Sequence, residues 1–144
     1  MIRLERATLA DVPSIEALLV ETGLPLEGAA EAFCRGVIAW ADDGRLLGIA
    51  AVERYGQAGL LRSVAVREDA RGAGLGRALV QAAQDVARAE GITTLYLLTE
   101  TAAPWFARLG YATVARTDVP PAVAGSVEFV VACPASAVTM VRPL

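Results

Sequence analysis

A chain of 144 residues has the size of one compact domain and can bury a substantial core. Its net charge of −3, with no clustered Lys or Arg, argues against a nucleic-acid partner, since phosphate binding needs a concentrated basic surface. No histidine, two distant cysteines (Cys34 and Cys133), no run near the ~18 apolar residues of a membrane span and no apolar leader together predict a cytoplasmic protein without metal or membrane partner.

Residues 2–6 (IRLER) alternate with period 2 and read as a first strand. Thr8 to Asp11 ahead of Pro13 start a helix in which Val12, Ile15, Leu18 and Leu19 recur at helical spacing, until Gly23-Leu24-Pro25 stops it. A short helix is expected over 26–33. The runs 36–41 (GVIAWA) and 45–52 (RLLGIAAV) flank Asp42-Asp43-Gly44 and read as a hairpin. Another apolar run, 59–66, follows the loop around Gly56. From Arg71 the period becomes helical, with Leu75, Leu79, Ala82, Ala83 and Val86 on one face and Gly91 at the end. Residues 92–98 read as a buried strand, 102–109 as a short helix ended by Gly110, and 111–115 and 138–141 as two last strands. Pro120-Pro121 breaks the chain between them, and the apolar segment 119–133 fits no regular element; an interface or a substrate lid are the roles open to it. The order βαα-βββ-α-β-α-ββ predicts one α/β domain over residues 1–144, a mixed sheet with helices on both faces.

The most informative stretch is residues 60–80, LLRSVAVREDARGAGLGRALV. An apolar strand leads through a charged loop into a glycine-rich turn and directly into an amphipathic helix. Gly72, Gly74 and Gly76 lack the Cβ atoms that would hold a ligand away from the backbone. Unpaired N–H groups at the helix start then face an anion, and the helix dipole favours it. A phosphate or pyrophosphate suits such a turn. A P-loop would need Lys-Ser/Thr after the last glycine, where Arg77-Ala78 stands. A dinucleotide fingerprint would need an acid about twenty residues on, where Thr93 and Thr94 stand instead.

The pattern Arg71-x-x-Gly74-x-Gly76 after Val64-Ala65-Val66, together with Trp105-Phe106-Ala107-Arg108-Leu109-Gly110-Tyr111, resembles the acetyl-CoA signature and the aromatic element of the GNAT N-acetyltransferases. The resemblance covers essentially the whole chain. It implies a mostly antiparallel central sheet splayed between two parallel strands, and acetyl-CoA as cosubstrate. Backbone groups of Val64, Ala65 and Val66 would pair with the pantetheine arm. Those of Arg71, Gly72, Ala73, Gly74, Leu75, Gly76 and Arg77 would take the pyrophosphate, with Phe106 beside the cofactor. Residues 97–106 (LLTETAAPWF) and 133–137 (CPASA) are similar to the arsenic-resistance-associated N-acetyltransferases, and these in turn to the acetyltransferase domain of N-acetylglutamate synthases. This narrower likeness implies a small amino acid or analogue as acceptor, arsenic- or phosphorus-containing compounds included. A homodimer is the assembly common among such domains.

Transfer to an amine needs the neutral amine, so a base is expected, and without histidine it must be a carboxylate, a tyrosine, a cysteine or a water. Glu53, at the end of the strand preceding the cofactor strand, is the first candidate; the alternative is a solvated acid beside Arg54. Glu100, after the strand 92–98, is the second, or else it complements the dipole of the helix that follows. Thr99 and Thr101 would cap that helix or donate to substrate. Arg62, inside an apolar run, requires an anionic partner, either Glu53 or a substrate carboxylate. Strand alternation would place Arg62 and Val64 on one face and Ser63 and Ala65 on the other. Arg6, Ser63 and Ser136 complete the candidate substrate set, and Cys133 reads as a small buried hydrophobe or a soft ligand. The chain departs from the family where Phe106 stands in place of a frequent tyrosine acid. It departs from the glutamate-acetylating relatives where Leu60 and Pro134 stand in place of a carboxylate and an arginine.

Overall fold

The computed structural model describes residues 1–132 and 134–144, so Cys133 lies outside the described residues. The alternating first segment forms β1 (Arg3–Arg6), an edge strand antiparallel to β2 (Gly36–Trp40). Between them α1 (Val12–Thr22) begins with Pro13 in its first turn and buries Ile15, Leu18 and Leu19. The helix expected over 26–33 is a single turn, α2 (Ala29–Ala32), followed by a 3-10 turn. Strand β3 (Leu46–Tyr55) runs three residues past its expected end, because β4 (Ala58–Val66) pairs with it as far as Tyr55 opposite Ala58.

The long helix α3 (Leu75–Ala89) starts four residues later than its sequence pattern suggests, since the stretch from Arg71 to Gly74 is turn. Its buried stripe is Leu75, Leu79, Ala83 and Ala87, one side chain per turn, flanked by Val80. Strand β5 (Thr94–Thr99), helix α4 (Ala103–Arg108), the two-residue β6 (Ala112–Thr113), α5 (Pro121–Ala124) and β7 (Val138–Pro143) complete the chain. The spatial order is β1-β2-β3-β4-β5-β7-β6, and every neighbouring pair is antiparallel except β4 with β5.

Period-2 alternation divides this sheet between two cores. Val37 and Ala39 of β2 face α3 and α4, whereas Ile38 between them packs with Ile15, Leu19 and Phe33 on the side of α1 and α2. A third cluster, Leu60, Leu98, Val119, Val123, Phe129 and Ala137, covers the far end of the sheet. The described part of the segment unassigned from sequence, residues 119–132, thus supplies an apolar cap built from α5 and a π-helical turn at Glu128–Ala132. No helix among the described residues is long and apolar enough to cross a membrane.

One expectation about β4 is corrected. Ile49 pairs with Ala65 and Ala51 with Arg62, so the single residue Ala50 faces both Ser63 and Val64. This is a β-bulge, and Ser63 at its centre has φ +56°, an uncommon conformation for a residue with a Cβ. The extra residue breaks the alternation. Val64 and Val66 pack against the core of α3, while Ala65 packs in the opposite core. Arg62 points to the α2 side with Ala65, and not to the side of Val64.

Candidate active site

Strands β4 and β5 pair only through Ala58 with Thr94, Gly59 with Leu95 and Leu60 with Tyr96. Beyond Leu60 the sheet opens into a cleft of about 790 Å³ between the bulged half of β4 and the end of β5. The cleft runs from the start of α3 to the π-helical turn. Its β4 wall has no ladder partner on the β5 side, so the backbone there presents an edge on which an extended ligand can pair.

At one end lie the glycine loop and the first turn of α3, whose N–H groups have no intrahelical acceptor. Gly72 and Gly74 have φ of +88° and +82°, and a Cβ on either would meet nothing within 4 Å. Their requirement is therefore conformational, with open space on the ligand side. Gly76 differs from the expectation. A Cβ there would lie 3.1 Å from the Trp105 indole, so this glycine serves packing between α3 and α4. Arg71 donates from Nε to the Val66 carbonyl at 3.0 Å, tying the loop to the end of β4. Phe106 is buried, edge-on to Trp105 at 4.9 Å and to Tyr111 at 5.7 Å, and reaches the cleft from α4. Burial holds the Tyr111 phenol above its ordinary pKa, and its hydroxyl donates to Gln84 at 2.9 Å.

At the other end a buried charge cluster forms the floor. Arg62, 2% exposed, donates from Nη1 to Glu53 at 2.9 Å, pairs through Nε with Glu128 at 3.0 Å, and donates to the Ser63 hydroxyl at 3.1 Å and the Pro25 carbonyl at 3.3 Å. Every guanidinium nitrogen thus has a protein partner. The anionic partner that the sequence argument required is a pair of glutamates, and no substrate carboxylate is needed to balance the charge. Glu53 also accepts from the Tyr55 hydroxyl, so both its oxygens are engaged. Burial and this carboxylate hold the Tyr55 phenol above its ordinary pKa.

The cleft therefore gathers Arg62, Ser63, Val64, Ala65, Val66, Arg71, Gly72, Gly74, Leu75, Gly76, Arg77, Thr99, Glu100 and Phe106. It does not gather Ala73, Glu53, Arg6 or Ser136. Glu53 lies behind Arg62. Arg6 sits on the exposed edge strand and donates to the Cys34 carbonyl at 2.8 Å, and Ser136 is exposed in the turn before β7. Thr99 caps the approach to α4, its hydroxyl accepting from the Ala102 N–H at 3.0 Å. Glu100 is exposed at the mouth. The residue that sequence reasoning missed is Glu128. Its signal was present: a lone acid in the apolar run Val127-Glu128-Phe129-Val130, the same anomaly that singled out Arg62.

Residues 34–113 match the family model described as Acetyltransferase (GNAT) domain. An amino-acid acetyltransferase of Neisseria meningitidis is 30% identical over 127 residues, which are 83% of this chain and 29% of that protein. N-acetylglutamate synthase from Neisseria gonorrhoeae, complexed with coenzyme A and N-acetyl-glutamate, has a similar structure with TM-score 0.84 at 27% identity, covering 100% of this chain and 35% of the other. Rv2747 from Mycobacterium tuberculosis, in complex with CoA, matches with TM-score 0.82 at 26% identity and 99% coverage of both chains. The chain thus spans about a third of the length of the neisserial relatives and nearly all of the mycobacterial one.

Proposed function

The chain belongs to the GNAT acetyltransferase family, and from that premise we propose that it moves an acetyl group from acetyl-CoA to the amine of a small amino acid or amino-acid-like compound. The observation that carries the reading is the splayed cleft, with an anion-binding helix start at one end and carboxylates at the other. Acetyl-CoA, when bound, supplies the acetyl group as a thioester. The open edge at Val64 and Val66 suits its extended pantetheine arm, and the N–H groups from Arg71 to Arg77 suit its pyrophosphate.

At the acceptor end the work of this chain is proton removal. The α-ammonium of a free amino acid is held protonated at pH 7 by its own carboxylate, so a base must take its proton, as for a lysine-type amine, where that costs about 4–5 kcal/mol. Glu128 on the floor and Glu100 at the mouth are the carboxylates that reach the cleft. In this reading Glu53 is a positioning residue that holds Arg62, and through it Glu128. The acceptor class extends to arsenic- or phosphorus-containing amino-acid analogues, on the resemblance carried by residues 97–106.

Thiol release followed across L-amino acids and such analogues tests the reading, with thermal melting in acetyl-CoA as the binding measure. Acetyl-CoA is expected to raise the melting temperature and Gly74→Glu to abolish that rise. Gly44 has a similar positive φ, +86°, in a hairpin turn with open space around it, so Gly44→Glu carries the same backbone cost and is expected to keep the rise. An unchanged melting temperature in wild type would refute acetyl-CoA as cosubstrate. A rise without turnover on any amine would mean a non-catalytic acyl-CoA sensor.

A further inference from the structure

All 13 basic side chains of this chain are arginines. Ten have a hydrogen-bond or ion-pair partner, from Arg3 with Glu5 to Arg116 with the Pro134 and Phe129 carbonyls. Arg77, Arg108 and Arg142 have none among the described residues. These three line one small pocket of about 120 Å³ between α3, α4 and β7, with Gln81 and Gln84 on its wall and no carboxylate.

The pocket is built into the fold. Arg142 comes from β7, its Nη1 is buried, and that nitrogen makes no hydrogen bond among the described residues. A Cβ at Gly110 would lie 2.9 Å from the Arg142 Nε, so the glycine that ends the α4 turn makes room for this guanidinium. Gln84, 3% exposed, is held by the Tyr111 hydroxyl. A buried guanidinium nitrogen without an acceptor is unfavourable, and three uncompensated positive charges around one concavity raise its potential further. An anion with several acceptor oxygens would resolve both, and a guanidinium fork matches phosphate geometry.

Arg77 lines this pocket and the main cleft alike, so the two sites share a wall at the first turn of α3. We propose that the Arg77–Arg108–Arg142 pocket binds a phosphate monoester dianion, and that its occupant is the 3′-phosphate on the adenosine end of acetyl-CoA. The proposal rests on acetyl-CoA being the cosubstrate and adds how that ligand is told apart from its dephosphorylated form. Gln84, whose amide oxygen is taken by Tyr111, keeps its amide N–H groups to donate, whereas the Gln81 amide donates to Asp85 at 3.3 Å.

Calorimetric titration of wild type, Arg108→Gln and Arg142→Gln with CoA and with 3′-dephospho-CoA tests it. Arg108 is exposed at the end of α4 and its variant should fold normally; melting curves without ligand check both variants. Wild type is expected to bind CoA about ten- to a hundredfold tighter than dephospho-CoA. Each variant should lose most of that preference through weaker CoA binding, with dephospho-CoA affinity unchanged. Equal affinities in wild type, or a preference that survives in both variants, would overturn the assignment. So would adenosine 3′,5′-bisphosphate or inorganic phosphate competing at the pocket without any CoA preference, since the anion would then come from another source. Failure of both CoA forms to bind would instead strike at acetyl-CoA as cosubstrate, a separable result.

Discussion

Glu128 is buried on the cleft floor and paired with a guanidinium that a second glutamate also holds. One cation between two acids leaves the cluster with a formal charge of −1, facing the place where an acceptor ammonium would lie. Glu128→Gln keeps the shape and removes the proton acceptor. It is expected to lower kcat at least roughly a hundredfold, as general base catalysis contributes about 10²–10⁴. The CoA-induced rise in melting temperature should persist, since Glu128 lies at the other end of the cleft from the glycine loop. Glu53→Gln, acting through Arg62, should raise KM more than it lowers kcat. If Glu128→Gln turns over at the wild-type rate with an unchanged pH profile, Glu128 is not the base and Glu100 remains. Arg62 shows what a sequence can and cannot say about such a residue. An arginine in an apolar run demands an anion, and that much was legible. That the demand is met by two glutamates of the protein was not, because Glu128 is 66 residues away (128 minus 62) on a segment with no regular pattern.

At the scale of elements, the β4 bulge sets which β4 side chains share a face beside the cleft. Strands, the long helix and their order follow from periodicity and glycine punctuation, and they appear within a few residues of the expected limits. The bulge does not follow, since Ser63 is neither glycine nor asparagine and the run 59–66 reads as unbroken strand. One inserted residue reverses the face assignment of Val64 and Ala65 relative to Arg62. The end of β4–β5 pairing at Leu60 is illegible for another reason: it depends on two strands whose paired starts, Ala58 and Thr94, are 36 residues apart (94 minus 58), with a helix between them. Deleting Ser63 gives a direct test. Without it, Leu61, Val64 and Val66 alternate regularly with Arg62 and Ala65, so every remaining side chain keeps its present face. The variant is expected to unfold cooperatively with β4 in plain register against Ala50, and to lose most of its stabilisation by CoA. A deletion variant that folds and still gains the full thermal shift would show that the bulge is not needed for the cofactor.

At the scale of the molecule, a single sheet, seven-stranded among the described residues, separates two helical cores and opens where β4 leaves β5. Below the split the halves are joined by three residue pairs and by Leu61, Leu95 and Leu97, which share the core of α3. Above it, the first turn of α3 and the unpaired β4 edge face the end of β5 across the cleft. A ligand in the cleft would therefore act as the missing strand, and its effect should be confined to the split. Amide hydrogen exchange with and without CoA can see this directly. Protection is expected to rise at Ser63 to Val66 and at Gly72 to Arg77, with smaller gains at Leu97 to Thr99, while β1 and the β2–β3 hairpin stay unchanged. Uniform protection across the chain would mean a global stabilisation with no strand-like pairing. A gain at the glycine loop without one on β4 would mean that the anion site is used and the open edge is not.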